Sequence, residues 1–170
     1  MNLLRDIDVK ILFFINKRLH NKYLHQFFRL YTEFGGVIFY SLLIIFLFLT
    51  NKNIGISLLI NIFISQFIVH GLKFVIHRPR PYVTYEEIIN RKASKDINAF
   101  PSAHTASSLM AALTLGEFFP VWRIPLIIGA VLVAFSRIYL GYHYPSDVLG
   151  SMGITILSFL AIQLFNISWL

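Results

Sequence analysis

The chain has 170 residues, of which 56% are hydrophobic and only 14% charged, with a mean hydropathy of +0.68. A soluble domain carries about 25% charged and about 45–50% apolar residues, so a water-facing globule is excluded, as is a disordered chain. The lack of cysteine removes disulfide scaffolds and thiolate chemistry, and the net charge of +7 suits anionic lipid or phosphate, whereas nucleic acid does not fit the hydrophobicity.

Residues 5–33 predict an amphipathic, interfacial helical segment. Ile7, Ile11, Phe14 and Ile15 share one helical face, and Leu24, Phe27, Phe28 and Tyr31 share another. Lys10, Lys17, Arg18, Lys22 and Arg29 lie between them, placed to meet headgroups. Asp6 and Asp8 near the start and Lys17 and Arg18 near the end complement the helix dipole. Charges interrupt the apolar stretch and no small-residue cleavage site follows it, so a cleavable signal peptide is not expected.

Five apolar stretches follow, at 34–50, 54–76, 102–119, 121–140 and 145–170. Each is long enough, or nearly so, to cross a hydrocarbon core of about 30 Å. The tight connections at 51–53 and 119–121 predict antiparallel neighbours. The expected fold is therefore all-α: one polytopic transmembrane bundle of about five spans over residues 1–170, preceded by the interfacial segment. One long polar loop, 78–101, joins the second and third spans and carries Arg78, Arg80, Glu86, Glu87, Arg91, Lys92, Lys95 and Asp96.

The ionisable residues near span ends are the informative ones. Lys73 closes the second span and Arg80-Pro81 follows it; Pro101-Ser102-Ala103-His104 opens the third. Ser136-Arg137 closes the fourth, and His143 and Asp147 bracket the start of the fifth. An antiparallel zigzag brings all of these to one membrane face, where charges are costly and usually functional. Pro101 and Pro145 each suit the first turn of a helix. Pro101 would aim the amides of Ser102, Ala103 and His104 outward as an anion site. Asp147, one turn into its helix, can reach back to one nitrogen of His143 and leave the other for nucleophilic attack. His104 is suited to proton delivery. Lys73, Arg80 and Arg137 offer three cations to a phosphoryl group, whose transfer depends on positioning and charge neutralisation.

Lys73-x6-Arg80-Pro81, Pro101-Ser102-Ala103-His104 and Ser136-Arg137-x5-His143-x3-Asp147 resemble, in order and spacing, the three signature motifs of the type 2 phosphatidic acid phosphatase superfamily. One position departs: the family usually has glycine where this chain has Ala103. The resemblance implies a metal-independent membrane phosphatase without a cofactor, acting on a membrane lipid phosphate or diphosphate. It implies that His143 attacks phosphorus and forms a phosphohistidine, that Asp147 orients that imidazole, and that His104 protonates the leaving oxygen and then activates water. Lys73, Arg80, Ser102, Arg137 and the Ala103 amide would hold the phosphate. Small bacterial members that act on undecaprenyl diphosphate share this plan, and others act on phosphatidylglycerophosphate or phosphatidic acid.

The remaining residues have plainer roles. His20, His25, His70 and His77 are expected at interfaces or in packing, Arg78 as a headgroup contact, and Trp122 and Trp169 as interfacial anchors. No histidine pair has zinc-site spacing. With the motif face outside, the inner connections hold only Lys52 and Arg123, so counting basic residues favours the reverse orientation. The resemblance to bacterial members implies an extracytoplasmic site, and that orientation is the one expected. Two rivals remain: a lipid phosphotransferase using the same phosphohistidine, and an anion transporter, which the absence of repeat symmetry disfavours.

Overall fold

The structure is a computed structural model and describes residues 3–89 and 96–165. Helix α1 (Leu3–Phe13) continues through a π-helical turn, Phe14–Arg18, and α2 (Lys22–Tyr31) runs into a 3-10 turn, Thr32–Gly35. The apolar helices follow as α3 (Val37–Thr50), α4 (Lys52–Val75), α6 (Ala103–Phe118), α7 (Arg123–Tyr139) and α8 (Pro145–Leu164), with a one-turn α5 (Pro81–Thr84) inside the polar loop. Polar caps set several starts. The Asn21 side chain accepts from the amides of Tyr23 and Leu24, and that of Asn51 accepts from Ile54.

The apolar helices occupy the five expected places, but their lengths differ. Helices α4 and α8 and the stretch Pro120–Tyr139 are each long and apolar enough to cross a membrane. The segments Lys22–Gly35 and Val37–Thr50, joined at a 50° bend, meet that condition only together. Helix α6, with 16 residues, is about 24 Å long at about 1.5 Å per residue. It can be short because protein surrounds it. Ten of its residues are buried, and it packs against α4, α7 and α8. Ala106, Ser107, Ser108, Ala111 and Ala112 let those neighbours approach closely. Asn61 of α4 donates to Thr114 of α6 at 2.9 Å, a buried polar tie between spans. Leu58, Ile62, Met110, Phe159 and Ile162 fill the core around it. Phe63, Phe67, Phe74, Leu149 and Leu157 stand exposed on the outside, a surface suited to lipid.

The N-terminal segment is more deeply engaged than an interfacial helix needs to be. Lys10, Lys17, Arg18, Lys22 and Arg29 are exposed as expected, but Asp8, Asn16, His25, Phe28 and Thr32 are buried against the bundle. The Asn16 amide donates to the carbonyls of Tyr139 (2.8 Å) and Ile89 (3.2 Å), and its oxygen accepts from the Ile89 amide. Asp8 does not serve the start of its own helix. Its Oδ1 accepts from the Ser146 amide in the first turn of α8. The segment therefore forms one wall of the polar end of the bundle. Trp122 is exposed at the start of α7, as an anchor would be, whereas Trp169 and the loop residues Arg91, Lys92 and Lys95 lie outside the described residues.

Candidate active site

Three chain segments deliver the motif side chains to one place. Lys73, in the last turn of α4, is 6% exposed. Beyond α4 the chain runs extended and pairs with the strand of loop leading to α6: Arg80 donates its amide to Ile97 at 3.1 Å, and Ala99 donates to Arg78 at 2.7 Å. That pairing brings Arg80, 4% exposed, back over the end of α4. Proline at the first position of α5 then carries the chain away.

The second segment differs in detail from expectation. Pro101 precedes the helix, and Ser102 is its N-cap, with Oγ 3.5 Å from the Thr105 amide and accepting from the Thr105 hydroxyl at 3.0 Å. The Ser102 amide is not available to an anion, because it donates to Ser151 Oγ of α8 at 2.5 Å. The amides of Ala103 and His104, in the first turn of α6, keep the orphan status that makes a helix start attractive to phosphate. Ala103 is the first helical residue, a position where a Cβ carries no strain, so alanine replaces glycine there without penalty. Its carbonyl accepts from Gln66 of α4 at 3.3 Å, and Gln66 also donates to Ser107 at 2.8 Å, which pins this turn to the bundle. Gly35 packs against His104 so closely that a Cβ there would lie 3.0 Å from the His104 Cβ.

The third segment turns on Gly141. At φ +71° it closes α7 in the left-handed region, and a Cβ would meet Ile88 at 2.4 Å. The amides of Tyr142 and His143 then both donate to the Arg137 carbonyl, at 3.0 and 3.2 Å. The Arg137 side chain donates to Thr32 at 2.9 Å and stacks over Tyr142 at 4.2 Å. Pro145 opens α8, as expected.

The resulting cluster gathers the motif residues around His143. Arg80 Nη1 lies 3.4 Å from His143 Nε2, which turns that ring nitrogen toward the cations. Lys73 and Arg80 both contact one carboxylate, that of Asp96. His104 lies within electrostatic reach of Arg137, His143, Arg80 and Lys73. Burial foremost, and then the charges of Arg137, Arg80 and Lys73, push the His143 imidazole well below 6.5 against a weaker opposing pull from the Ala99 carbonyl. At neutral pH the ring is therefore uncharged, and one of its nitrogens carries a free lone pair. Asp147 Oδ2 sits 3.8 Å from His143 Nδ1, closer than any other carboxylate but too far for the expected hydrogen bond. Its oxygens bond elsewhere: Oδ2 accepts from the Tyr144 amide at 2.8 Å, and Oδ1 from Arg78 at 2.6 Å.

Sequence reasoning misplaced Arg78 and missed Asp8, Thr32 and Asp96. Arg78 is not a headgroup contact: it bonds Asp8 and Asp147. The doubled Arg-Pro of residues 78–81 is the only local signal for it. His70 and His77 are exposed and outside the cluster; His20 stacks on Tyr139 beside His25.

Asp96 holds the place of an anion. Burial raises its carboxyl pKa, but the Lys73 hydrogen bond, the Asn98 amide and the charges of Lys73 and Arg80 together bring it below the ordinary carboxylate range. A phosphate dianion bound to the same cations must displace it. Asp96→Asn is expected to tighten inhibition by inorganic phosphate about 3- to 10-fold, the scale of a charge-assisted bond discounted for partial exposure. Phosphate titrations of both forms give the two inhibition constants; weaker inhibition in the variant would mean that Asp96 organises the cations instead of competing for them.

A helical membrane bundle with a buried histidine beside three cations is suited to phosphoryl transfer. Residues 54–168 match the model of the PAP2 superfamily, and the chain belongs to that superfamily, whose members include lipid phosphatases. It is 32% identical over 150 residues to the undecaprenyl-diphosphatase BcrC of Bacillus subtilis, an alignment covering 81% of this chain and 72% of that enzyme. Among solved structures it resembles LpxE of Aquifex aeolicus, with a TM-score of 0.81 at 27% identity, over 91% of this chain and 93% of that one. It also shares the fold of a transmembrane PAP2-type phosphatidylglycerolphosphate phosphatase from Bacillus subtilis, with a TM-score of 0.82 at 24% identity over 98% of this chain and 87% of that one. The fold and family expected from the motifs are thus borne out, and the chain is a multi-pass membrane lipid phosphatase.

Proposed function

We propose that the chain hydrolyses the terminal phosphate of a prenyl diphosphate carrier, undecaprenyl diphosphate being the leading candidate, within one membrane-embedded domain. The observation that carries the reaction is His143 Nε2 turned toward Arg80 within a ring of cations. Lys73, Arg80 and Arg137 bind the phosphoryl oxygens, assisted by the Ala103 amide and the Ser102 hydroxyl. Nε2 attacks phosphorus while His104 protonates the departing oxygen, so the P–O bond breaks as the P–N bond forms. His104 then takes a proton from water, whose oxygen attacks the phosphohistidine and releases inorganic phosphate. Charge neutralisation by three fixed cations is the principal electrostatic contribution.

The likeness to an undecaprenyl-diphosphatase over most of the chain supports this lipid class. An apolar cavity of about 330 Å³ between α2, α3, α6 and α7, lined by Tyr31, Phe34, Tyr40, Leu126 and Val133, supports a lipid tail. Val133, which lines this cavity, and His104 both pack against the same face of Gly35, so the tail space lies next to the phosphate site. The test is phosphate release across a panel of lipid mono- and diphosphates. The expected result is the highest kcat/KM for a long-chain prenyl diphosphate, with inhibition by vanadate and none by chelators. A preference for a glycerolipid monophosphate would replace the substrate, and a phosphorylated acceptor in place of free phosphate would make the chain a transferase.

The site is assigned to the extracytoplasmic face. The sequence has no cysteine, so a single Glu87→Cys variant reports the exposed polar loop by itself. An impermeant maleimide is expected to label it on intact cells; labelling only after lysis would place the site inside.

A further inference from the structure

Arg78 stands at no motif position, yet it is the side chain that binds the motif aspartate. Its Nη1 donates to Asp147 Oδ1 at 2.6 Å and to Ser146 Oγ at 2.7 Å, and its Nη2 donates to Asp8 Oδ2 at 2.6 Å. The guanidinium plane lies over Tyr144, 4.1 Å from the ring centroid. Asp8 completes the circuit from the other side: its Oδ1 accepts from the Ser146 amide at 2.8 Å and its Oδ2 from the Ser146 hydroxyl at 2.5 Å. All four oxygens of the two carboxylates are thereby engaged, since Asp147 Oδ2 takes the Tyr144 amide.

Exposed ion pairs contribute little, but this one is not exposed. The side chains of Asp147, Asp8 and Arg78 are 0%, 6% and 28% accessible. A buried carboxylate is strongly disfavoured without a counter-charge, and the forked guanidinium meets two carboxylates at fixed angles as a lysine could not. With Oδ1 held by Arg78 and Oδ2 by the Tyr144 amide, Asp147 keeps Oδ2 on the side of His143 Nδ1.

We infer that Arg78 is a positioning residue for the phosphatase reaction: held by Asp8 of the N-terminal helix, it fixes Asp147 so that the carboxylate faces the His143 imidazole. The N-terminal helix is then a working part of the active site as well as a membrane-surface element. This inference rests on His143 as nucleophile and Asp147 as its partner.

The test is a double-mutant cycle on the purified full-length chain in detergent, with phosphate release from a long-chain prenyl diphosphate, rates per folded site and melting temperature measured together. Arg78→Ala is expected to lower kcat about 10- to 100-fold, the size of effect found when the partner orienting a working side chain is removed, with KM changed less than about 3-fold. Asp8→Asn lowers kcat less, and Arg78→Lys falls between wild type and alanine. In an Asp147→Asn background, Arg78→Ala adds less than about 2-fold, because both act through one carboxylate. An unchanged kcat per folded site in Arg78→Ala overturns the inference, as does a full-sized loss in the Asp147→Asn background. A parallel His143→Ala measurement separates the two levels: activity retained there removes the underlying assignment, whereas a dead His143→Ala beside a fully active Arg78→Ala removes only the role of Arg78.

Discussion

Replacing His143 with alanine is expected to abolish phosphate release, a loss on the order of 10⁶-fold in kcat, the scale seen when a nucleophile is deleted from a covalent mechanism. The imidazole is 1% exposed, uncharged at neutral pH, and turned by its Nε2 toward Arg80. Among the described residues His104 shares the cations but is only half-buried, and the Ser102 hydroxyl is engaged in capping α6. Binding should survive the change, because the cations that hold phosphate belong to other residues. The measurement is therefore twofold: phosphate release, and retention of vanadate by the folded variant. An acid-labile, alkali-stable phosphoryl label on the wild-type protein, missing from the variant, would identify the P–N intermediate. Undiminished turnover by His143→Ala would rule out the nucleophile assignment.

Asp147→Asn is the second large effect, with kcat expected to fall about 10³- to 10⁴-fold, as when the carboxylate behind a catalytic histidine is made neutral. The imidazole gains positive character as Nε2 bonds to phosphorus, and Asp147 Oδ2, 3.8 Å from Nδ1, is the negative charge placed to meet it. The amide would also leave Arg78 with one carboxylate where it now has two. KM should move little, since Asp147 contacts none of the phosphate-binding side chains proposed above. A drop confined to KM would assign Asp147 to binding and contradict its role behind the imidazole.

Helical character, membrane residence and the converging motifs were legible because each has a local signature. Long apolar stretches report spans, and Lys73, Arg80, His104, Arg137, His143 and Asp147 lie at readable intervals. What was not legible depends on tertiary contact. Asp8 looks like any acidic residue at a helix start, and only the packing of α1 on α8 shows that it serves Ser146. Thr32 has no motif, yet it meets Arg137 across 105 positions of sequence. Asp96 reads as a loop charge until the pairing around Pro79 and Asn98 folds it onto Lys73. Helix α6 keeps the bounds its apolar stretch implied, Ala103–Phe118 against 102–119; what hydropathy could not show is that its neighbours are mostly protein.

The turn after α7 carries one more consequence. Arg137 acts at both ends of itself: its guanidinium is one of the cations, and its carbonyl receives the amides of Tyr142 and His143. The interval between arginine and histidine is thus a ruler measured off by the backbone. Inside it Gly141 supplies the turn, Tyr142 the face on which Arg137 stacks and Tyr139 the tie to the N-terminal segment, so adding or deleting even one residue would swing the imidazole off its axis.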